Sequence, residues 1–423
     1  MLNFVLNCYI LSFVFILGDI IMKVKKLFIV FFSIILVFIN TTCFAIDSEM
    51  LHAQSAILID INTGKVLFEK NMDQKMYPAS TTKIMTAILV IENCNLEETV
   101  TVNYNAISSI PSGYSTAGLV TDEVLTVKQL LEVLLIHSSN DAANVLGMHV
   151  GGSIESFVTM MNSKAQELGC INTHFTNTYG LHDENHYSTA RDLAIIAKYC
   201  MQNESFRHFV SQPNCQIAPT NKHEARSYNN TNDLINTSSR YYYKYAIGIK
   251  TGYTKEAGNC LIAASSKDNF ETIAVVLNTG TIQGARCEDS VSLFNYAYDT
   301  FGIKKIANKG DIITKTTVYN GTKDTRDLDI VLSKDIDALD FLSDNNCEIT
   351  PTINLNSRIL APIAAGSVVG SVTYSVLNTD YTVDLIASHD VEKSELMIII
   401  LRIVLVAIVI IGLLVLIKKV FRK

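Results

Sequence analysis

The sequence predicts an α+β fold: a mostly antiparallel sheet flanked by helices, then a small all-β domain, then a C-terminal membrane helix. Three observations predict it. Strand-like runs at 56–60, 66–69, 246–250, 259–266 and 270–278 bracket helix-period runs at 82–92, 127–137, 154–168 and 189–202. One sheet must therefore be assembled from distant segments. From about residue 305 to 392 the texture turns to Thr, Val, Ile, Asn and Asp in short alternating runs, such as Val368-Val369-Gly370-Ser371-Val372-Thr373-Tyr374. Residues 396–417 are apolar except for Arg402.

Composition narrows the class. The chain of 423 residues is 48% hydrophobic and 18% charged, which excludes extended disorder and suggests that part of it is dissolved in lipid. With 34 basic against 41 acidic residues, the net charge of -7 argues against a phosphate-binding surface. Nucleic acid is not an expected partner.

The elements follow in order. Met22-Lys23-Val24-Lys25-Lys26 is basic, 27–39 is apolar, and Asn40-Thr41-Thr42-Cys43-Phe44-Ala45 ends in small residues. This is the layout of a secretory signal peptide, so 1–45 is expected to be removed, with Ile46 as the mature start. Residues 1–21 precede a second plausible start at Met22 and read as a mis-called start. Asn40-Thr41-Thr42 is a poor setting for lipid attachment at Cys43. The run 56–60 is a strand, turned back by Asn62-Thr63-Gly64 into 66–69 as a hairpin. The helical run 127–137 has Leu130, Leu131, Leu134 and Leu135 on its apolar face. The body is taken as 46–304 and the β-rich domain as 305–392, with turns near Asn320-Gly321 and Asn378-Thr379-Asp380. About 20 apolar residues suffice to cross the hydrocarbon layer, so 396–417 is expected to span it. The basic cluster in 418–423 (Lys418, Lys419, Arg422, Lys423) should stay cytoplasmic. A helix lying in the interface would need a polar face, which this one lacks. The expected location is the cell membrane, with a single C-terminal anchor and the body on the extracytoplasmic side.

Nine cysteines leave seven once Cys8 and Cys43 are removed. An odd number without a Cys-x-x-Cys pair predicts neither a disulfide framework nor a zinc site. No metal or organic cofactor is expected. His182 and His186 are spaced like half a metal site, but no third ligand of suitable spacing accompanies them. Tyr241-Tyr242-Tyr243 reads as the irregular lead-in to the strand carrying Lys250 rather than as a binding patch.

Three short motifs carry chemistry. In Ser80-Thr81-Thr82-Lys83 the hydroxyl and the amine point from one face of a helix start, one turn apart. A serine becomes a nucleophile when something accepts its proton, and a lysine held partly neutral by burial and nearby positive charge can do so. Ser138-Ser139-Asn140 follows the helix ending at His137, in a loop between helices. Lys250-Thr251-Gly252 closes the strand that starts near Ala246. Each motif is common alone; the three in this order occur in penicillin-binding proteins and class A β-lactamases.

The chain resembles the low-molecular-mass penicillin-binding proteins, the serine D-alanyl-D-alanine carboxypeptidases, over residues 50 to 392 or so. The resemblance rests on Tyr77-Pro78-Ala79-Ser80-Thr81-Thr82-Lys83, Ser138-Ser139-Asn140-Asp141-Ala142-Ala143, Gly180-Leu181-His182-Asp183, Tyr187-Ser188-Thr189-Ala190-Arg191-Asp192 and Lys250-Thr251-Gly252-Tyr253-Thr254. Two features depart from it: an anchor long enough to span where relatives often have an amphipathic helix, and Asn177-Thr178-Tyr179-Gly180 where many have Asn-Pro-His-Gly. The resemblance implies a β-lactamase/DD-peptidase-like fold for 46–304. It makes Ser80 the nucleophile on a peptidoglycan stem peptide ending in D-Ala-D-Ala, with Lys83 as general base. Ser138 and Lys250 would relay the proton toward the departing amine, while Asn140 binds the substrate backbone. Ser80 and Tyr253 would supply the oxyanion-hole N–H groups. Lys250, Thr251, Gly252 and Arg286 would line the substrate, Thr251 and Arg286 holding its carboxylate. β-Lactam antibiotics would be inhibitors, and membrane lipid would be a partner through the C-terminal helix.

A β-lactamase shares the trio, but class A enzymes discharge the acyl-enzyme with a glutamate upstream of a Thr-rich segment, and 172–181 here holds no acidic residue. A wall-binding protein without turnover would be expected to have lost one of Ser80, Lys83, Ser138, Asn140 or Lys250. Endopeptidase action on cross-links uses the same chemistry and stays open.

Overall fold

The computed structural model describes residues 48–343 and 349–420. The expected signal segment, 1–45, lies outside the described residues, as do the last three residues of the basic cluster.

Strands β1 (Ser55–Asp60) and β2 (Val66–Lys70) form the expected hairpin. Short β3 (Thr99–Thr101) and β4 (Val124–Thr126) pair with each other, as do β5 (Asn214–Ile217) and β6 (Arg226–Asn229). β7 (Ala246–Thr254), β8 (Gly258–Lys267) and β9 (Phe270–Leu277) join the first hairpin in one antiparallel sheet of order β2-β1-β9-β8-β7. The first strand thus pairs with β9, 214 residues later where Ile59 meets Ile273, the assembly from distant segments that the sequence predicts. β1 is buried at every position and β9 from Thr272 to Leu277, so both faces of the sheet centre are covered.

The helices are α1 (Lys83–Asn93), α2 (Tyr104–Ser108), α3 (Val127–Leu135), α4 (Asn140–Gly151), α5 (Ile154–Glu167), α6 (Ala190–Met201), α7 (Glu204–Ser211) and α8 (Ala285–Thr300). α1 is buried from Lys83 through Val90, so it is apolar nearly all round and runs through the core instead of lying on it. α3 opens with a reciprocal cap: Thr126 Oγ1 accepts from Gln129 N, and Gln129 Oε1 accepts from Thr126 N. α6 packs on β1 and β9, and α8 on β8 and β9.

Four details differ from the sequence expectation. α2, α4, α7 and α8 have no counterpart in it. α3 ends at Leu135, two residues short of His137. The strand of Lys250 runs on to Thr254, because β8 pairs with it as far as Gly258, so Lys250-Thr251-Gly252 lies inside a strand and does not close it. The β-hairpin expected at Asn378-Thr379-Asp380 turns at Leu377 and Asn378, both with positive φ (50° and 60°), and Thr379 already belongs to the next strand. Two left-handed residues match the twist of the flanking strands.

The C-terminal part is all-β, as expected. β10 (Phe301–Ala307) pairs with β13 (Ile336–Phe341), while β11 (Ile312–Thr317), β12 (Asp327–Leu332), β14 (Thr352–Leu355), β15 (Val368–Val376) and β16 (Thr379–Ala387) form a sheet of order β11-β12-β16-β15-β14. Its own core gathers Leu328, Ile330, Leu332, Val372 and Leu385. The β15–β16 hairpin tip meets the first hairpin, where Lys65 Nζ donates to Leu377 O. α9 (Leu396–Val420) has 25 residues, roughly 37 Å at 1.5 Å each. Its window Ile399–Lys418 has a mean hydropathy of 3.3 and no buried residue. Among the described residues it is the one helix long and apolar enough to cross a membrane.

Candidate active site

Ser80 sits on a single 3-10 turn, Ala79–Thr82, that leads directly into α1. The turn is tight: Ala79 takes a left-handed φ of 48°, and Pro78 O accepts from Thr81 N at 3.2 Å and Thr81 Oγ1 at 2.7 Å. Such conformations cost about 1–3 kcal/mol and persist where surroundings over-determine them. Here β7 does so from below, with Gly252 packed beneath Pro78, Ala79 and Ser80.

Lys83 is fully buried, and its Nζ lies 2.8 Å from Ser80 Oγ, 2.7 Å from Asn140 Oδ1 and 3.0 Å from Tyr179 O. Burial first, and then the charge of Lys250, hold its amine well below the usual lysine range, against a smaller opposing pull from Asp141. A neutral amine has two N–H bonds and one lone pair. Tyr179 O can only accept, and Asn140 presents its carbonyl oxygen, so these two take the N–H bonds. The lone pair is left for the Ser80 hydroxyl. With the amine neutral, this geometry leaves Ser80 as the donor and Lys83 as the acceptor.

Asn140 is placed by the start of α4. Its N–H donates to Ser115 O at 2.9 Å, and the neighbouring Asp141 carboxylate accepts from Ala117 N at 2.9 Å and Leu119 N at 3.0 Å. Asp141 thereby fastens the 115–119 loop to α4. Ser138 is buried in a left-handed conformation (φ 67°), two residues ahead of Asn140 in the turn between α3 and α4.

Lys250 is also fully buried; burial, then the Arg286 charge, push its amine down to about 7, and its Nζ donates to Thr251 O at 3.2 Å. β7 is the edge strand of its sheet, so its outer backbone groups have no partner strand. Thr251 Oγ1 lies 2.6 Å from Thr231 Oγ1. Tyr253 is 53% exposed. It shares a cavity of about 400 Å³ with Arg286, Asn259 and Asp233. Arg286, in the first turn of α8, donates from Nη1 to Asn259 Oδ1 at 3.4 Å. The structure brings Ser80, Lys83 and Asn140 into direct contact, sets Gly252 under Ser80, and couples Lys250 to both Lys83 and Arg286 by charge. Among the described residues, Ser138 makes no direct hydrogen bond to Ser80, Lys83, Asn140 or Lys250.

Sequence reasoning missed three contributors. Tyr179 acts through its carbonyl, which no side-chain motif reveals. Asn177 holds that carbonyl's loop: its Oδ1 accepts from Tyr179 N (3.3 Å), Gly180 N (2.8 Å) and Leu181 N (3.0 Å), and its Nδ2 donates to Leu181 O at 2.9 Å. Thr231 is the third. His186 has its ring nitrogens engaged: Nδ1 accepts from Thr176 N at 3.1 Å, so Nε2 carries the proton and donates to Thr82 Oγ1 at 2.8 Å. Burial pushes it down to about 4, which keeps it neutral. It braces the Ser80 turn. His182 packs edge-on against Tyr77, centroids 4.6 Å apart. In the triple tyrosine, Tyr243 stacks on Phe294 and donates to Asn295 Oδ1, while Tyr241 donates to Gln283 O.

Comparison with known proteins agrees with this geometry. The family model described as D-alanyl-D-alanine carboxypeptidase matches residues 42–281, and that of penicillin-binding protein 5, C-terminal domain, matches 301–393. The D-alanyl-D-alanine carboxypeptidase DacF of Bacillus subtilis (strain 168) is 34% identical over 330 residues, 77% of this chain and 82% of the relative. The D-alanyl-D-alanine carboxypeptidase of Streptomyces sp. (strain K15) is 33% identical over 272 residues, 61% of this chain and 91% of the relative. Among solved structures, penicillin binding protein 5 of Haemophilus influenzae superposes with a TM-score of 0.65 at 28% identity, covering 82% of this chain and all of that one. The peptidoglycan synthesis regulatory factor (PBP3) of Streptococcus pneumoniae gives 0.71 at 27% identity, covering 81% and 100%. With a family model spanning more than half its length and a relative 34% identical over 77% of it, the chain belongs to the D-alanyl-D-alanine carboxypeptidase family of penicillin-binding serine enzymes.

Proposed function

We propose that Ser80 is the nucleophile of this carboxypeptidase and that its substrate is the D-Ala-D-Ala end of a peptidoglycan stem peptide. The observation that carries the reading is the fully buried Lys83 amine, held well below the usual lysine range, with its Nζ 2.8 Å from Ser80 Oγ and 2.7 and 3.0 Å from the carbonyl oxygens of Asn140 and Tyr179. Lys83 takes the hydroxyl proton as Oγ attacks the carbonyl carbon between the two D-alanines. The resulting oxyanion accepts from the N–H groups of Ser80 and Tyr253. Asn140 and the free edge of β7 hold the substrate backbone, and Thr251 and Arg286 hold its terminal carboxylate. The proton passes by way of Ser138 and Lys250 to the nitrogen of the leaving D-alanine, and the C–N bond breaks. Water then attacks the Ser80 ester, releasing a stem one residue shorter and restoring the hydroxyl. A β-lactam would acylate Ser80 in the same way, its ring nitrogen remaining attached to the product.

The catalytic unit is assigned to 46–304 and the β-rich domain to 305–392. α9 is assigned as the anchor, with the body on the extracytoplasmic side and the basic 418–423 cluster inside, because positive residues flanking a span are retained on the cytoplasmic face.

Incubating the protein with labelled penicillin and with a D-Ala-D-Ala stem peptide, beside Ser80→Ala, tests the assignment. A stable label confined to wild type, with D-alanine released, is expected. Rapid penicillin hydrolysis without D-alanine release would move the chemistry to a β-lactamase. Label retained by Ser80→Ala would remove Ser80 from the role.

A further inference from the structure

We propose that Cys94 Sγ, the Glu98 carboxylate and His149 Nε2 bind a zinc-class divalent ion that ties together the C-terminal ends of α1 and α4. One donor atom from each of these residues lies within 4.8 Å of the other two. His149 Nε2 is 2.6 Å from Glu98 Oε1, and Cys94 Sγ lies within 4.8 Å of the carboxylate and of the imidazole. Glu98 therefore stands beside both a thiol and an imidazole. Zinc–ligand bonds of about 2.0–2.3 Å in a tetrahedron place donors about 3.3–3.6 Å apart. The His149–Glu98 pair has only to open by under about 1 Å to admit an ion.

Charge and chemistry agree with the geometry. On binding, the thiol proton leaves to solvent and the sulfur becomes a thiolate, while His149 binds through neutral Nε2, releasing any proton held there. Thiolate and carboxylate then balance a 2+ ion, and a water completes the fourth position. A sulfur, nitrogen and oxygen set favours zinc or cobalt over the all-oxygen preferences of magnesium and calcium. Cys94 is the C-cap of α1 and His149 lies in the last turn of α4, so the partial negative charge of two helix C-termini also faces the ion. The site is open to solvent, with Glu98 39% and His149 31% exposed on their side chains.

Chain spacing concealed the site, since His149 is 51 residues from Glu98. Its place in the fold gives it a role. α1 begins at Lys83 and α4 at Asn140, the two residues that meet at 2.7 Å in the active site. An ion across their far ends would fix the angle between the helices without touching substrate.

The test uses full-length protein in detergent, free of any histidine tag and stripped of metal. Equilibrium dialysis with micromolar Zn²⁺ should give one ion per chain in wild type and in a control at another thiol, Cys170→Ser. Cys94→Ser and His149→Ala should bind at least tenfold more weakly. Co²⁺ should produce a thiolate-to-metal charge-transfer band that Cys94→Ser lacks. Zn²⁺ should raise Tm and shield Cys94 from alkylation in the unaltered protein, a readout independent of whether the variants fold. Acylation by penicillin should persist in the stripped enzyme. Absence of binding, unchanged binding in both ligand variants, or alkylation of Cys94 at the same rate with and without Zn²⁺ would overturn the proposal.

Discussion

Gly252→Ala probes the support beneath Ser80, the proposed nucleophile. An ideal Cβ at this position lies 3.0 Å from Pro78 O, 3.1 Å from Ser80 N and 3.2 Å from Ala79 Cβ, where ordinary contacts begin at 3.4 Å. Pro78 and Ser80 must therefore retreat by about 0.4 and 0.3 Å from β7. Ser80 N is one of the two proposed oxyanion donors, and Tyr253 N, on the strand that stays put, is the other. Deleting such a donor outright costs about 10²–10³ in rate. Displacing one by a third of an ångström should cost about tenfold, or ~1.4 kcal/mol of transition-state stabilisation. Stability should change little, because Gly252 has no left-handed backbone to lose and alanine regains about 0.5–1 kcal/mol over glycine in a strand. Stopped-flow acylation with a fluorescent penicillin, beside thermal melts of the same samples, reads both terms. Acylation within twofold of wild type would refute the reasoning, as would a rate loss that the melts attribute wholly to unfolding.

Four further outcomes follow from the same geometry. Gly180→Ala adds a Cβ that collides with the Ala79 carbonyl and comes within 2.9 Å of Thr82 Oγ1, at a φ of 87° that alanine disfavours; acylation should fall by about 100-fold or more, whereas Gly169→Ala, at φ 81° with open space around it, should leave acylation unchanged. Asn177→Ala strips three N–H donors of their acceptor in the loop that positions Tyr179 O, costing about 1–3 kcal/mol in urea melts and slowing acylation; Asn177→Asp, which keeps the acceptor, should lose less. Arg286→Gln removes a charge that helps to depress Lys250, so Lys250 should hold its proton to higher pH and the alkaline limb of the acylation profile should move upward; an unmoved limb would detach Lys250 from that titration. The folded value of about 7 lies below the 10.5 of an unfolded lysine, so between them the unfolded chain binds more protons and this group's contribution to stability grows as pH rises and is lost as pH falls through about 7. The urea midpoint of wild type minus that of Lys250→Met should therefore increase from pH 7 to pH 9.

The motif residues were legible because their chemistry depends on side-chain identity at short spacing: Ser80 with Lys83, Ser138 with Asn140, and the Lys250 run. Amphipathic α3 and the strands were legible by period. α4 was not, because its buried face carries Asn140, Asp141 and Asn144, which read as surface residues until their distant partners are seen. Asn144 donates to Ala106 O at 3.0 Å and accepts from Thr178 Oγ1 at 2.6 Å. α8 opens on Gly284 with no side-chain cap and buries Asp289, whose carboxylate receives His52 N at 3.1 Å and Ala53 N at 2.7 Å. In both helices tertiary partners replace the local pattern on which sequence reasoning depends. Thr231 and the Tyr179 carbonyl lie beyond such reasoning for a plainer reason. They matter only through the neighbours that folding gives them.

The order β2-β1-β9-β8-β7 also governs when the molecule can come into being. A chain delivered from its N-terminus presents β1 and β2 first, but an isolated two-stranded hairpin is marginal in water. The inner neighbour of β1 arrives only with Phe270–Leu277. Until then Ser80 and Lys83 are present while Lys250 and the strand beneath them are missing or unpaired. The Ser80–Lys83 pair, proposed as nucleophile and base, thus gains the strand beneath it only in the last stage of assembly, after nearly the whole first sheet has been delivered. Nothing delivered before Phe270 can close that sheet, so the site is completed late in assembly and all at once, its support arriving with the last strands and not with the motif that opens the chain.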